Sequence, residues 1–245
     1  MRGFLIALQF LTSIPLRIKK SVGDNELAGS MAYFPLAGLL IGTALALAYN
    51  ILNLIFPHAV NCAFILILNV IITGGLHIDG FIDTFDGIAS GGGKKRMLEI
   101  MREGRPGAVG IAAAILLFLS KYSLLVSLPN GTIEMSLIMM AGLSRWSFVI
   151  SSALYPYARD SEGLGKRFIQ GLRPKGIFIA TATILIVTFL VFKSRIFILI
   201  PVILCAILAF NFYLYKKIGG ITGDTLGALG EIIEVLSLAV SVILF

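Results

Sequence analysis

The sequence predicts an all-α fold, a polytopic integral membrane helical bundle of about seven transmembrane helices plus an N-terminal interfacial or re-entrant helix. Three observations carry that expectation. Of 245 residues, 58% are hydrophobic and 13% charged, with a mean hydropathy of +0.96; soluble domains carry about 25% charged residues. Apolar runs near the length a bilayer requires recur along the chain. Basic residues gather in alternate connections, which is the signature of topogenic charge.

The first apolar stretch, up to Leu16-Arg17, is short and interrupted and lacks a small-residue cleavage site. It reads as an interfacial helix, not as a signal peptide. Spans are expected at roughly 31–56, 59–77, 107–128, 132–155, 176–193, 196–215 and 225–245. Pro57-His58 separates the first two, and Pro129-Asn130-Gly131 separates the next two. The last three boundaries are softer. With no internal repeat or low-complexity segment, residues 1–245 read as one membrane domain. Cys62 and Cys205 both lie in apolar runs and read as small core residues, not as a disulfide or metal pair.

Basic residues orient the bundle. Arg17, Lys19 and Lys20 follow the first helix, and Lys94, Lys95, Arg96, Arg102 and Arg105 follow the second span. Arg159, Lys166, Arg167, Arg173 and Lys175 follow the fourth, and Lys216 and Lys217 the sixth. The turns at 57–58 and 129–131 carry no Lys or Arg. The expected location is therefore the cell (inner, cytoplasmic) membrane, with the N-terminus and all three large loops in the cytoplasm. Lys193 and Arg195 break the pattern. Part of the excess of 20 basic over 13 acidic residues is topogenic, so no nucleic acid is needed to explain it.

Three of the few acids fall within eight positions: Asp79, Asp83 and Asp86, in Gly74-Gly75-Leu76-His77-Ile78-Asp79-Gly80-Phe81-Ile82-Asp83-Thr84-Phe85-Asp86-Gly87. Their i, i+4, i+7 spacing puts them within roughly 60° of one another on a helix. Carboxylates crowded on one face repel each other and are costly to desolvate near a membrane. A divalent cation relieves both problems, and all-oxygen ligands suit Mg²⁺. A solvated acidic face is the alternative, and the flanking apolar spans count against it. His77 reads as a ligand, an acid/base group or a helix-end histidine. His58 lies on the far side with no apparent partner.

Gly91-Gly92-Gly93 followed by Lys94-Lys95-Arg96 offers backbone N–H groups and countercharge to a pyrophosphate, although a flexible basic loop would look similar. Arg102 and Arg105, three apart, are expected to share one helical turn facing the metal site. In Gly219-Gly220-Ile221-Thr222-Gly223-Asp224, Asp224 is either a helix cap or a metal ligand joining from the last span. Glu231 and Glu234 follow inside that span, where a carboxylate is a functional candidate. The loop Tyr155–Arg167 mixes aromatics, charge and glycine. It either stacks a base and pairs phosphate through Arg159, or forms an interfacial belt. Arg145, in or at the edge of the fourth span, must find an acidic residue or a phosphate.

Together these residues resemble the cobalamin synthase (adenosylcobinamide-GDP ribazoletransferase) family over nearly the whole chain. The resemblance starts with Leu8-Gln9-Phe10-Leu11-Thr12-Ser13-Ile14-Pro15 and Phe34-Pro35-Leu36-Ala37-Gly38. Gly74 to Gly80 with Asp83-Thr84 and Asp86-Gly87 is its most specific part. Glu99-Ile100-Met101-Arg102, Arg105, Gly107, Gly110, Ser144-Arg145-Trp146, Tyr157-Ala158-Arg159, Thr222 to Ala228 and Glu234 complete it. Glu103-Gly104 stands where the family usually has Asp-Ser, and Pro106 and Val109 also depart from it. The resemblance implies a Mg²⁺-dependent membrane transferase. It would join adenosylcobinamide-GDP to α-ribazole, or its 5′-phosphate, giving adenosylcobalamin, or its 5′-phosphate, and GMP. The acid layout is similar by analogy to CDP-alcohol phosphotransferases, but lacks their Ala-Arg and longer spacing. Membrane lipid is the expected surrounding, and homo-oligomerisation stays open. Two other classes stand beside this one: a cation or proton transporter using clustered carboxylates, and a noncatalytic assembly subunit. A transporter favours carboxylates at mid-bilayer in broken helices, whereas these cluster at one face.

Overall fold

The computed structural model describes residues 2–16, 21–129, 131–160 and 163–245. Arg17, Lys19 and Lys20 of the charge pattern, Asn130 of the second turn, and Ser161 and Glu162 of the 155–167 loop lie outside the described residues. The chain is helical almost throughout: α1 (Arg2–Leu11), α2 (Asp24–Ser30), α3 (Phe34–Leu52), α4 (His58–Thr73), α5 (Leu76–Ala89), α6 (Lys94–Glu103), α7 (Ala108–Ser127), α8 (Ile133–Leu154), α9 (Leu164–Gln170), α10 (Pro174–Phe192), α11 (Ile196–Ile218) and α12 (Gly223–Leu244). The all-helical membrane bundle read from the sequence is the fold observed.

Among the described residues, five stretches are long and apolar enough to cross a membrane, or six with α4 and α5 taken as one broken span. One stretch, Pro174–Ile218, runs 45 residues and contains both α10 and α11. Phe192 ends α10 with its ring centroid 5.1 Å from that of Phe245, and the Arg195 guanidinium sits 4.9 Å above the same Phe245 ring. Ile218, at the other end of α11, packs with Met97, Met101 and Ala158 near the acidic helix. The stretch is therefore a hairpin about the turn at Lys193–Arg195. Those two basic residues sit at the end of the bundle away from the acids, as their break in the charge pattern required.

α8 is the central helix, buried on nearly every face. α3 packs on it so closely that a Cβ at Gly38 would stand 2.4 Å from the Ala141 carbonyl oxygen, and one at Gly42 2.5 Å from the Ile138 Cα. Apolar solvation cannot hold helices together inside lipid, so such small-residue contacts and interhelical hydrogen bonds do. Asn211 of α11 donates to Ser151 Oγ of α8 at 2.7 Å, and Trp146 Nε1 of α8 donates to Thr181 Oγ1 of α10 at 3.1 Å.

Two expectations change. Cys62 is buried, but Cys205 is exposed on the outer face of α11 and is not a core residue. His58 does have partners: its Nδ1 lies 2.9 Å from the Tyr49 hydroxyl, and its Nε2 lies 3.3 Å from the Val126 carbonyl oxygen. Both come from neighbouring helices, which local sequence does not reveal.

The bend that makes the site lies between α4 and α5. The two helices meet at 91° across Gly74 and Gly75, whose φ values of 61° and 70° are left-handed. An L-residue pays about 1–2 kcal/mol at each such position, which explains the glycine pair. α5 is thereby turned across the end of the bundle, where its acidic face meets α12, α7 and α6.

Candidate active site at one end of the bundle

α5 presents Asp79, Asp83 and Asp86 on one face, as the spacing predicted. What brings a fourth carboxylate to them is a close helix crossing. A Cβ on Gly80 would lie 2.8 Å from the Asp224 carbonyl oxygen, and one on Gly227 3.1 Å from the His77 carbonyl oxygen. Two glycines on facing helices thus let α12 start against α5. Asp83, 8% exposed, stands in the repulsive field of Asp79, Asp224 and Asp86, offset by Arg159. Thr222 caps α12 by accepting the Thr225 N–H at 3.2 Å, so Asp224 is not consumed as the cap.

Asp224 accepts a hydrogen bond from Arg159 at 2.6 Å. Backbone pairing aims that arginine: Ala158 N–H donates to the Ile221 carbonyl, and Ile221 N–H to the Pro156 carbonyl, both at 2.9 Å. The 155–160 segment is thereby stitched to the turn before α12. Arg159 Nε is buried without a partner. Its side chain also lines a cavity of about 460 Å³ shared with Lys94, Lys95, Glu99 and Arg102 of α6. Four cations against Glu99 and Asp160 leave that cavity basic.

The structure gives Asp86 a definite partner set. Its two oxygens accept the N–H groups of Gly107 at 2.6 Å and Gly110 at 2.8 Å. It therefore caps the start of α7 from a different helix, where the dipole favours a negative charge. A Cβ at either glycine would fall 2.5 Å from this carboxylate, so both glycines are explained by one contact.

Several candidates stand elsewhere than expected. Of the two partners open to Arg145, an acid or a phosphate, it takes the acid: it is fully buried and bonds Glu234 of α12, so its phosphate-binding role falls away. Glu234 also accepts from Lys121 at 2.6 Å and from Asn69 at 3.1 Å, while Lys121 reaches Glu231 at 2.5 Å. Two acids thus meet two bases inside the spans, because lipid leaves a charge no other partner. His77 is buried with its ring centroid 5.1 Å from that of Phe148, its Nε2 facing no partner, and lies in the field of Arg145, Glu234 and Lys121. Gly91 and Gly92 form the exposed-to-half-buried turn between α5 and α6, where Gly92 N–H donates to Ser90 Oγ at 3.3 Å, and neither lines the basic cavity. Arg105 lies beyond α6, which ends at Gly104 with φ 60°. It is exposed and does not share a helical turn with Arg102. Gly104 followed by Pro106 was a legible stop signal. Glu103 pairs with Arg96 at 3.3 Å. Lys121 and Asn69 gave no local signal at all.

Among the described residues, no three His, Cys, Asp or Glu side chains are grouped tightly enough to hold a metal ion by themselves.

Fold and site define a polytopic, all-helical membrane protein with an acidic and basic centre at one end of its bundle. The chain belongs to the cobalamin-5-phosphate synthase family, which it matches over residues 3–242. It is 39% identical to the adenosylcobinamide-GDP ribazoletransferase of Fusobacterium nucleatum subsp. nucleatum, over 95% of this chain and 94% of that one. Identity to the enzyme of that name from Desulfitobacterium hafniense is 38%, over 97% and 95% of the two chains. For Clostridium acetobutylicum it is 33%, over 94% and 92%. No solved structure matches the chain.

Proposed function

We propose that this protein transfers the adenosylcobinamide phosphate group of adenosylcobinamide-GDP to α-ribazole, or to its 5′-phosphate, releasing GMP. The observation that carries the reading is the meeting of Asp79, Asp83 and Asp224 with Arg159 at the edge of a basic cavity. A ribose hydroxyl oxygen attacks the phosphorus that bears the aminopropanol arm. The new P–O bond forms as the anhydride P–O bond breaks, and GMP leaves with the bridging oxygen. The hydroxyl proton passes to a carboxylate of the cluster. Arg159, Arg102 and Lys94 hold the pyrophosphate and offset charge on the leaving oxygen.

The donor set fits Mg²⁺. Asp79, Asp83 and Asp224 would supply hard oxygen ligands, and Arg159 offsets the repulsion at Asp83. A site without an all-protein cage suits an ion that takes one or two carboxylates plus substrate phosphates. When bound, Mg²⁺ would supply countercharge to the pyrophosphate. Asp86, already engaged with α7, would sit behind these ligands. Glu231 and Glu234, deep in α12, are neutralised by Lys121 and Arg145, which counts against a transporter that would use them.

The cytoplasmic side is supported by the positive-inside rule, with Lys94, Lys95, Arg102 and Arg159 at the end of the bundle that holds the acids. A single cysteine at Gly92, in a background lacking Cys62 and Cys205, should react only from the cytoplasm. Purified protein mixed with adenosylcobinamide-GDP, α-ribazole and Mg²⁺ should yield GMP and adenosylcobalamin in equal amounts. GMP without cobalamin would refute the transfer.

A further inference from the structure

A second cavity, of about 210 Å³, adjoins the acids and has the opposite chemistry. Phe10 of α1, Phe34 of α3, Phe148 of α8 and Phe168 of α9 wall it, and Asp79 and Asp224 stand at its edge. Among the described residues, no Lys or Arg lines it. Three of the rings form one cluster: Phe10 and Phe168 have centroids 4.5 Å apart, Phe34 and Phe168 5.6 Å, and Phe10 and Phe34 stack at 5.9 Å. Phe168 is placed there by α9, which Arg167 ties to Asp24 at the start of α2.

The ion pair of Arg159 and Asp224 divides the two cavities. Arg159 lines the basic one and Asp224 the aromatic one. Phosphoryl transfer requires attacking and leaving oxygens roughly in line through phosphorus, so its two substrates must approach the reacting centre from different sides. A pyrophosphate would meet only carboxylates at the aromatic cavity and is excluded from it by charge. A neutral nucleoside meets what it needs there: ring faces for its base, and carboxylate acceptors for its ribose hydroxyls.

We infer that the Phe10–Phe34–Phe148–Phe168 cavity binds the aromatic base of the acceptor nucleoside, with Asp79 and Asp224 at the ribose, while the basic cavity takes the nucleoside diphosphate. This assignment rests on the transferase reading above. Phenyl walls supply stacking, and His77, which also lines the cavity and whose Nε2 has no partner, leaves one polar contact for a ring nitrogen of the base.

Equilibrium binding by calorimetry tests this without turnover. Phe168→Leu and Phe10→Leu, on separate helices, keep apolar volume and remove the ring. Loss of a stacking partner weakens single-base binding by about tenfold or more. Each variant should therefore bind α-ribazole about tenfold more weakly and adenosylcobinamide-GDP as the wild type does, the second measurement also showing that the protein is folded. Unchanged α-ribazole affinity in both variants overturns the assignment, as does equal loss for both substrates. Wild-type protein that binds neither substrate would instead refute the transferase reading, and this inference with it.

Discussion

Gly80→Ala tests whether the approach of α12 to α5 builds the site. An added Cβ would stand 2.8 Å from the Asp224 carbonyl oxygen and 2.9 Å from its Cα, where ordinary contact begins at 3.4 Å. The obstacle is backbone, so the helices must part by about 0.6 Å, and they part at the residue that carries the fourth carboxylate. Misplacement of about 1 Å is enough to cost 10²-fold in rate; a tenfold to hundredfold fall in kcat is expected. Helix propensity alone argues the other way, because Gly→Ala inside a helix stabilises by about 0.5–1 kcal/mol. Gly29→Ala in α2, with open space around it, is the control and should be neutral or stabilising with full activity. The assay is GMP release by detergent-purified protein, alongside thermal unfolding. Wild-type turnover in Gly80→Ala would show that the Asp224 approach does not matter, and the four-carboxylate site would fall.

The remaining expectations follow from named contacts. Asp86→Ala removes the partner of two N–H groups on α7 and should cost about 1–2 kcal/mol of stability, read as a lower Tm; full stability would remove its capping role. Lys121→Met leaves Glu231 and Glu234 short of a buried countercharge, a loss of about 3–5 kcal/mol, seen as poor recovery of folded protein, and normal recovery would contradict it. Arg159→Lys should raise the KM for adenosylcobinamide-GDP more than that for α-ribazole, because an ammonium cannot reproduce the planar fork. The reverse pattern would place the pyrophosphate elsewhere.

Local sequence carried the spans and the acidic face of α5, since apolar length and a 3.6-residue period are properties of neighbouring residues. The bend at Gly74-Gly75 was not read: the span expected at 59–77 runs across it, whereas α4 ends at Thr73 and α5 turns away at 91°. The pairings across the bundle were not legible. Asp86 finds its partners 21 and 24 residues on, Arg145 finds Glu234 89 residues on, and Lys121 finds Glu231 110 residues on. Asp86 read as part of the acidic face and Arg145 as a charge in need of an acid or a phosphate, while Lys121 gave no local signal. The aromatic cavity was hidden likewise, because its four rings come from four helices.

The central claim is that the Asp79–Asp83–Asp224 cluster performs the transfer. Its most direct test is the rate of GMP release, with both substrates saturating and Mg²⁺ present, for wild type and for Asp79→Asn, Asp83→Asn and Asp224→Asn. Asn removes the charge with little change in volume. The wild type should release GMP only when α-ribazole is present, and each variant should be at least about 10²-fold slower, about 2.7 kcal/mol of barrier, while purifying and unfolding normally. Near-wild-type GMP release by both Asp79→Asn and Asp83→Asn would contradict the account.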